Sequence, residues 1–449
     1  MLRSLFLCLV YGAFLCGGLI APFAAGLGYV WVDTFTPQYV AYSILTEIPV
    51  SVIMAVAAIG GYILMDRRSP PRPNIIMILT ILMGLWVTFT TAELAVVPAS
   101  AWEKWNWAIK TIAFSLFMPA LFRSRIQIES FLQIYLFSLA AQFLPYAAKT
   151  VLSGGSYDQN LGLVAGNSGL AEGSTLSTVC LMLVPVVLWM RNHQLIFPQW
   201  RLTKLMYPGF AVALAIAAIG TFERTALVGM AVALGGLWLK SKHKLRYALI
   251  ATAGIAIAGA YIVHSDSAWV ERMSTIGQYN KENSALGRIL VWQWTLGFVD
   301  SHPMGGGFNA YMVDTITVPT ADSPEGLVIQ GKAFHSMYFE MLGEHGWPGL
   351  GLFLSLLLAT FWTFWRVARQ CRQMPGMEWC RDLALSLMVS AAVLATCGAF
   401  IGIGFQPEVY YTFALAVMLS QHVRAVRRAN APKAAPLAEV WDEPLMLPA

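Results

Sequence analysis

The sequence predicts an all-α polytopic membrane protein of about twelve transmembrane helices with one large exported loop, and three observations carry that reading. Of its 449 residues, 57% are hydrophobic and only 12% charged, with a mean hydropathy of +0.61. Soluble domains usually carry about 25% charged residues. The apolar residues are gathered into long runs without period-two alternation, which excludes a membrane barrel and leaves helices as the spanning element. Lys and Arg then fall into alternate connections, as the positive-inside bias requires.

A span needs about 20 apolar residues. On that ruler the runs are 4–31, 40–64, 74–92, 105–122, 127–149, 171–190, 203–220, 224–239, 245–263, 335–365, 382–404 and 407–424. The first is long enough for one kinked helix or two short ones, given Gly17, Gly18 and Pro22. It continues past its initial apolar stretch without a small-x-small cleavage site, so an uncleaved first span is expected rather than a signal peptide. Of the 29 Lys and Arg, those near Arg3, Arg67, Arg123, Arg191, Lys240, Arg366 and Arg424 mark the cytoplasmic side. Lys104, Lys110, Lys149, Arg224, Arg272, Lys281, Arg288 and Lys332 lie on or near the other side. The net charge of +5 therefore reports topology, not nucleic-acid binding. The six cysteines fall in spans or cytoplasmic connections and show no zinc spacing and no exported disulfide framework.

Four regions follow: helices one to nine over 1–263, an exported loop over 264–334, three more spans over 335–424 and a cytoplasmic tail over 425–449. Within the loop, 285–300 carries Leu286, Ile289, Leu290, Trp294 and Leu296 at three- and four-residue steps. That suits an amphipathic helix on the membrane surface with Trp292 and Trp294 at headgroup depth. His302-Pro303-Met304-Gly305-Gly306-Gly307 is a glycine turn whose backbone, at Gly306, can approach a ligand closely. From there to Lys332 the expectation is an irregular polar segment with Pro319 and Pro324.

Chemistry is expected where the loop re-enters the apolar rhythm, at His335. Imidazole changes charge near neutral pH and is the usual proton acceptor; a helix-opening histidine bonded to a loop carbonyl is the plainer alternative. Tyr338 lies one turn along, and Glu340 and Glu344 lie further into the same apolar helix. Carboxylates there need a partner; either could orient the imidazole or pair with Arg. Arg224 opens a span on the side where basic residues are disfavoured, and Arg288 sits in the amphipathic helix. Guanidinium suits a pyrophosphate bidentately, while an ion pair with Glu223 or a solvated helix face would also account for them. The loop holds seven acidic residues to four basic ones, so only placed arginines, not a diffuse positive field, could hold phosphates. No H-E-x-x-H or acidic-pair spacing points to a metal, and no nucleotide-binding glycine motif is present, so neither a metal nor another cofactor is expected.

His335-Ser336, nine residues, then Gly346-Trp347-Pro348-Gly349 resembles the H-[N/S/Q]-x9-G-x-x-G signature of the O-antigen ligase family. Glu271-Arg272-Met273-Ser274-Thr275-Ile276, Gly287-Arg288-Ile289 and Leu342-Gly343-Glu344-His345-Gly346 resemble the branch of exosortase-associated O-glycosylation ligases. The resemblance implies a GT-C-like glycosyltransferase of the bacterial inner membrane, working at its periplasmic face without nucleotide or metal. The implied donor is a glycan on undecaprenyl pyrophosphate, the acceptor the lipid A core oligosaccharide, and membrane lipids surround both. It implies a base role for His335 and pyrophosphate contacts for Arg224 and Arg288. Tyr338, Gly306, Glu344 and Arg272 complete the expected substrate-binding set. The family's R-x3-L pattern is met loosely, since Val228 follows Arg224 at the fourth place.

A leaving diphosphate needs no further activation, so in-line attack by the acceptor hydroxyl should invert the anomeric centre. Polysaccharide polymerisation or glycosylation of an exported protein would use the same chemistry. A lipid-linked glycan transporter would want ionisable residues scattered mid-span, and only Glu47 and Glu129 qualify.

Overall fold

The computed structural model describes residues 2–42, 44–153, 170, 172–241, 244–245, 283–320 and 323–430. The first apolar run is two helices, α1 (Leu2–Ile20) and α2 (Pro22–Phe35). Pro22 explains the break: it has no N–H to continue α1, yet its fixed φ suits the first position of a new helix. The short α3 (Pro37–Val40) and then α4 (Val50–Met65) and α5 (Ile75–Glu93) follow. Asn74 caps α5 by accepting from the Met77 N–H at 2.9 Å. Next come α6 (Pro98–Leu121), α7 (Arg125–Ser153), α8 (Gly173–His193), α9 (Arg201–Gly220) and α10 (Arg224–Lys240).

Among the described residues, seven helices are long and apolar enough to cross a membrane: α1, α5, α7, α8 and α9, with α12 (Met337–Cys371) and α13 (Glu378–Cys397) from the C-terminal part. The expected stretches 40–64, 105–122, 224–239 and 407–424 also fall on helices, but two of these are short and two carry charge. α4 and α10 have 16 and 17 residues. α6 carries Glu103, Lys104 and Lys110, and α14 (Pro407–Ala429) carries Glu408 and three arginines. The expected span 245–263 lies outside the described residues, as do Arg272 and the tail beyond Asn430.

α14 is buried along most of its length against α6 and α12, and α8 is buried against α9, α10 and α13. A helix walled in by other helices need not be uniformly apolar, which accounts for the polar content of α14. The last turns of α8, α10, α12 and α14 carry Arg191 and His193, Lys240, Arg369, and Arg427 with Arg428. Cations there complement the negative helix ends. The opposite, N-terminal ends gather around the site described below.

Between them lie α11 (Asn283–Ser301), a turn of 3₁₀ helix at Ala310–Val313, and an antiparallel hairpin of β1 (Thr315–Thr320) and β2 (Ser323–Gln330). The hairpin corrects the expectation of an irregular segment. Thr-Ile-Thr-Val alternates β-branched residues, Ile316 and Val318 turn inward, and the register pairs Ile316 with Ile329. Asp314 closes its base by accepting from the Lys332 N–H at 2.9 Å. In α11, Val291, Thr295 and Val299 form the buried stripe. The indole N–H of Trp292 donates to the Phe334 carbonyl at 2.8 Å and its ring stacks on Phe339, so this side chain anchors α11 to the head of α12.

Candidate active site

The site is built on a break in α12. Gly346 has φ +66°, ψ −167° inside an otherwise helical run, and Pro348 follows. Pro348 has no N–H for the Glu344 carbonyl, and the break withdraws the amides that would serve Gly343 and His345. Each orphan finds a partner from elsewhere. Gly306 N–H donates to Gly343 O at 3.0 Å, Gly307 N–H to Glu344 O at 2.8 Å, and the Trp86 indole to His345 O at 2.8 Å. The Trp347 N–H turns to Pro303 O at 3.0 Å. A Cβ on Gly346 would land on the Pro303 carbonyl, and one on Gly305 would meet the Glu344 carbonyl carbon and oxygen. The glycine turn is thus a cradle for the kink. Gly306 has its N–H on Gly343 and its carbonyl on the Val96 N–H, both within the protein.

On the short helical arm before the break, Glu340 and Glu344 meet Lys104 from α6. Its ammonium donates to Glu340 at 2.7 Å and to Glu344 at 2.7 and 3.0 Å. Backbone N–H groups complete both carboxylates: Asn309 donates to Glu344 and Gly404 to Glu340, each at 2.9 Å. The buried charges therefore have the partner their burial demands, and it is a lysine rather than an arginine. His345 is fully buried beside them. Its Nδ1 lies 2.8 Å from the Thr90 hydroxyl and its ring meets Phe308 edge-on, while Nε2 has no hydrogen-bond partner among the described residues.

His335 faces this cluster across a cavity of about 230 Å³ lined also by Lys104, Glu172, Tyr311, Glu344 and Gln406. It holds a left-handed backbone, φ +48°, between Phe334, whose carbonyl is fixed by Trp292, and Ser336, which precedes α12. A non-glycine residue in that region costs about 1–3 kcal/mol and persists only where its surroundings enforce it. Burial lowers the imidazole pKa from 6.5. Glu172 opposes the shift, and the nearby cations Arg288 and Lys332 add to it. The neutral ring, able to accept a proton, is the favoured form.

The structure therefore brings His335 and Glu344 to one cavity, with Arg288 near enough to act on the imidazole. Arg224 is the first residue of α10. Its neighbour Glu223 packs near Gly173 at the start of α8, and the Thr225 carbonyl accepts from the Cys397 thiol. One residue on, the Gly398 carbonyl accepts from the Met337 N–H, so Arg224 lies at the end of the bundle where α12 begins. Tyr338 points elsewhere: its hydroxyl donates to the Ala395 carbonyl at 2.7 Å, and it does not line the cavity. Lys104, Glu172, Lys332 and Gln406 were not singled out by sequence reasoning. The signal available was the need of Glu340 and Glu344 for a cation. Its source, 236 and 240 residues away, is a tertiary fact. Among the described residues, no group of three or more His, Cys, Asp or Glu could hold a metal ion.

Two family models match the chain. Residues 2–195 match a family of unknown function (DUF5935), and residues 209–354 match the O-antigen ligase family. No curated protein matches it. The boundary divides the site: Lys104 and Glu172 come from the first region, and Arg224, Arg288, His335, Glu340 and Glu344 from the second. The region that carries His335 and the kinked glycine motif is the one that resembles the O-antigen ligase family.

Proposed function

We propose that the protein is an inverting glycosyltransferase that moves a glycan from undecaprenyl pyrophosphate to an acceptor hydroxyl at the periplasmic face of the bacterial inner membrane. The observation that carries this reading is a proton-accepting imidazole lining a cavity, with the cations Arg288 and Lys332 near enough to act on it. His335 takes the proton of the attacking hydroxyl. Arg288 and Arg224, with Lys332 beside His335, receive the diphosphate as charge develops on the leaving oxygen. The N-termini of α8, α10, α12 and α14 gather at this end, and the positive ends of their dipoles favour an anion.

The pieces divide the work. The acceptor oxygen attacks the anomeric carbon as the carbon–oxygen bond to the diphosphate breaks, and the proton passes to His335. In this reading no enzyme nucleophile and no metal takes part. Lys104, Glu340 and Glu344 touch neither bond. They fix the short arm of α12 and so the floor beneath His335. The match to the O-antigen ligase family supports a lipid-borne acceptor.

The test is transfer in nanodiscs from a purified undecaprenyl-pyrophosphate glycan to three acceptors: lipid A core, the nascent polysaccharide and an exported protein. The expected result is transfer to lipid A core, unchanged by chelator and lost in folded His335→Ala and Arg288→Ala. Wild-type rates in His335→Ala, or a glycan trapped covalently on the enzyme, would overturn the mechanism. Transfer only to another acceptor would reassign the substrate and keep the chemistry.

A further inference from the structure

A second, larger cavity adjoins the first and lies mainly within the region of unknown function. It has a volume of about 560 Å³, within the range of small-molecule sites, and shares Trp107 and Gln406 with the His335 cavity. At its far side it shares Tyr29, Ser51 and Lys110 with an apolar groove of about 230 Å³, where Val52, Val56 and Ile59 of α4 face Ala113 and Phe114 of α6. One face of α6 runs along all three. Lys104 lines the His335 cavity, Trp107 borders both cavities, and Lys110 stands where the large cavity meets the groove. At 1.5 Å per residue, Lys104 and Lys110 are about 9 Å apart along the axis.

The large cavity contains buried polar groups left open. Glu408 is 5% exposed, and among the described residues its carboxyl group bonds only to its own backbone N–H. The Gln38 side-chain oxygen is buried without a hydrogen-bond partner among the described residues. Asp33 accepts from the Tyr411 hydroxyl at 2.6 Å with one oxygen, leaving the other to the cavity. Buried polar atoms of this kind need donors, and carboxylates and amides around an aromatic ring such as Trp107 are suited to a ligand rich in hydroxyl groups. Among the described residues, Asp33, Glu103 and Glu408 share this lining with one cation, Lys110, so a diphosphate gains nothing here.

We propose that the cavity and groove form the acceptor subsite: the hydrocarbon tail of a glycolipid lies between α4 and α6, its uncharged sugars fill the Asp33–Glu408 cavity, and the hydroxyl to be glycosylated reaches His335. The word acceptor rests on the glycosyl-transfer reading above. The acidic lining disfavours the donor diphosphate on this path, and the separation points the same way. A donor reacts at the carbon bonded to its lipid diphosphate, whereas the groove and His335 lie at opposite ends of the polar cavity. An acceptor reacts at a sugar remote from its lipid, which is what this separation requires.

A dodecyl maltotrioside carrying a photoreactive diazirine at its alkyl end, applied to the full chain in nanodiscs, tests the site. Labelling should concentrate at Val52, Val56 and Ile59, whereas diazirine-bearing dodecanol should label lipid-facing helices generally. Asn106→Trp, at an exposed position on the cavity lining, and Ser51→Phe, at the junction with the groove, should each reduce the sugar-dependent labelling at least tenfold. Undecaprenyl pyrophosphate should not compete for it. Even labelling of all helices, insensitivity to both substitutions, or displacement by undecaprenyl pyrophosphate would overturn the proposal. His335→Ala separates the two readings, since it should keep the labelling and lose transfer. Labelling as expected in a wild-type protein that transfers no undecaprenyl-linked glycan would remove the acceptor assignment and leave a glycolipid-binding site.

Discussion

At the scale of single residues, burial first and then the cations Arg288 and Lys332 disfavour the charged form of His335, the proposed base. Replacing it with Ala should lower kcat about 10²–10⁴-fold, the usual contribution of a general base, while undecaprenyl pyrophosphate binding stays within twofold. Wild-type activity should fall along an acidic limb lying below pH 6.5, since a protonated imidazole cannot accept a proton and its pKa is lowered. Lys332→Ala removes one of the cations that resist protonation. The pKa should then rise and the limb move to higher pH, which a pH–rate profile of the two proteins would read directly. A limb that stays in place would mean that Lys332 does not act on His335. His335 was legible in the sequence because an imidazole at a loop-to-span junction stands alone. The part played by Lys332 was not, because its proximity depends on the hairpin that returns the chain past α11.

Elements decide how that residue is held. α12 is one apolar run in the sequence but a short arm and a long span in space, hinged at Gly346, with the glycine turn after α11 supplying the missing hydrogen bonds. Gly346→Ala forces a Cβ into the Pro303 carbonyl at a left-handed position. It should cost at least about 1–3 kcal/mol and reduce both folded yield and transfer, measurable by fluorescence-detected thermal unfolding in detergent. The glycine motif was readable as a pattern. Its purpose, supplying two of the three stranded carbonyls with donors, needed the partners in view. The hairpin of β1 and β2 was missed for a different reason: two short strands, each containing a proline, carry a weak periodic signal beside seven strongly apolar helices.

Across the whole molecule, the two family regions are joined through charge. Lys104 of the first holds Glu340 and Glu344 of the second, with no more than 18% of any of the three side chains exposed. Lys104→Met should destabilise the protein by about 3–5 kcal/mol, because it strands two buried carboxylates. The double substitution Lys104→Met with Glu344→Gln should recover part of that loss, and unfolding midpoints of the three proteins would show the coupling. Additive losses would mean that the triad is not a unit.

By itself the sequence determined that the chain is a multi-pass helical membrane protein, because twenty-residue apolar runs and basic flanks act locally. It also singled out His335, Arg288 and the glycine motif through their spacing. Only the tertiary structure decided which cation answers the buried glutamates, that the loop contains a sheet, and that an acidic cavity lies next to His335. Those facts depend on contacts between residues hundreds of positions apart, and no local pattern encodes which distant charge will arrive to satisfy a buried one.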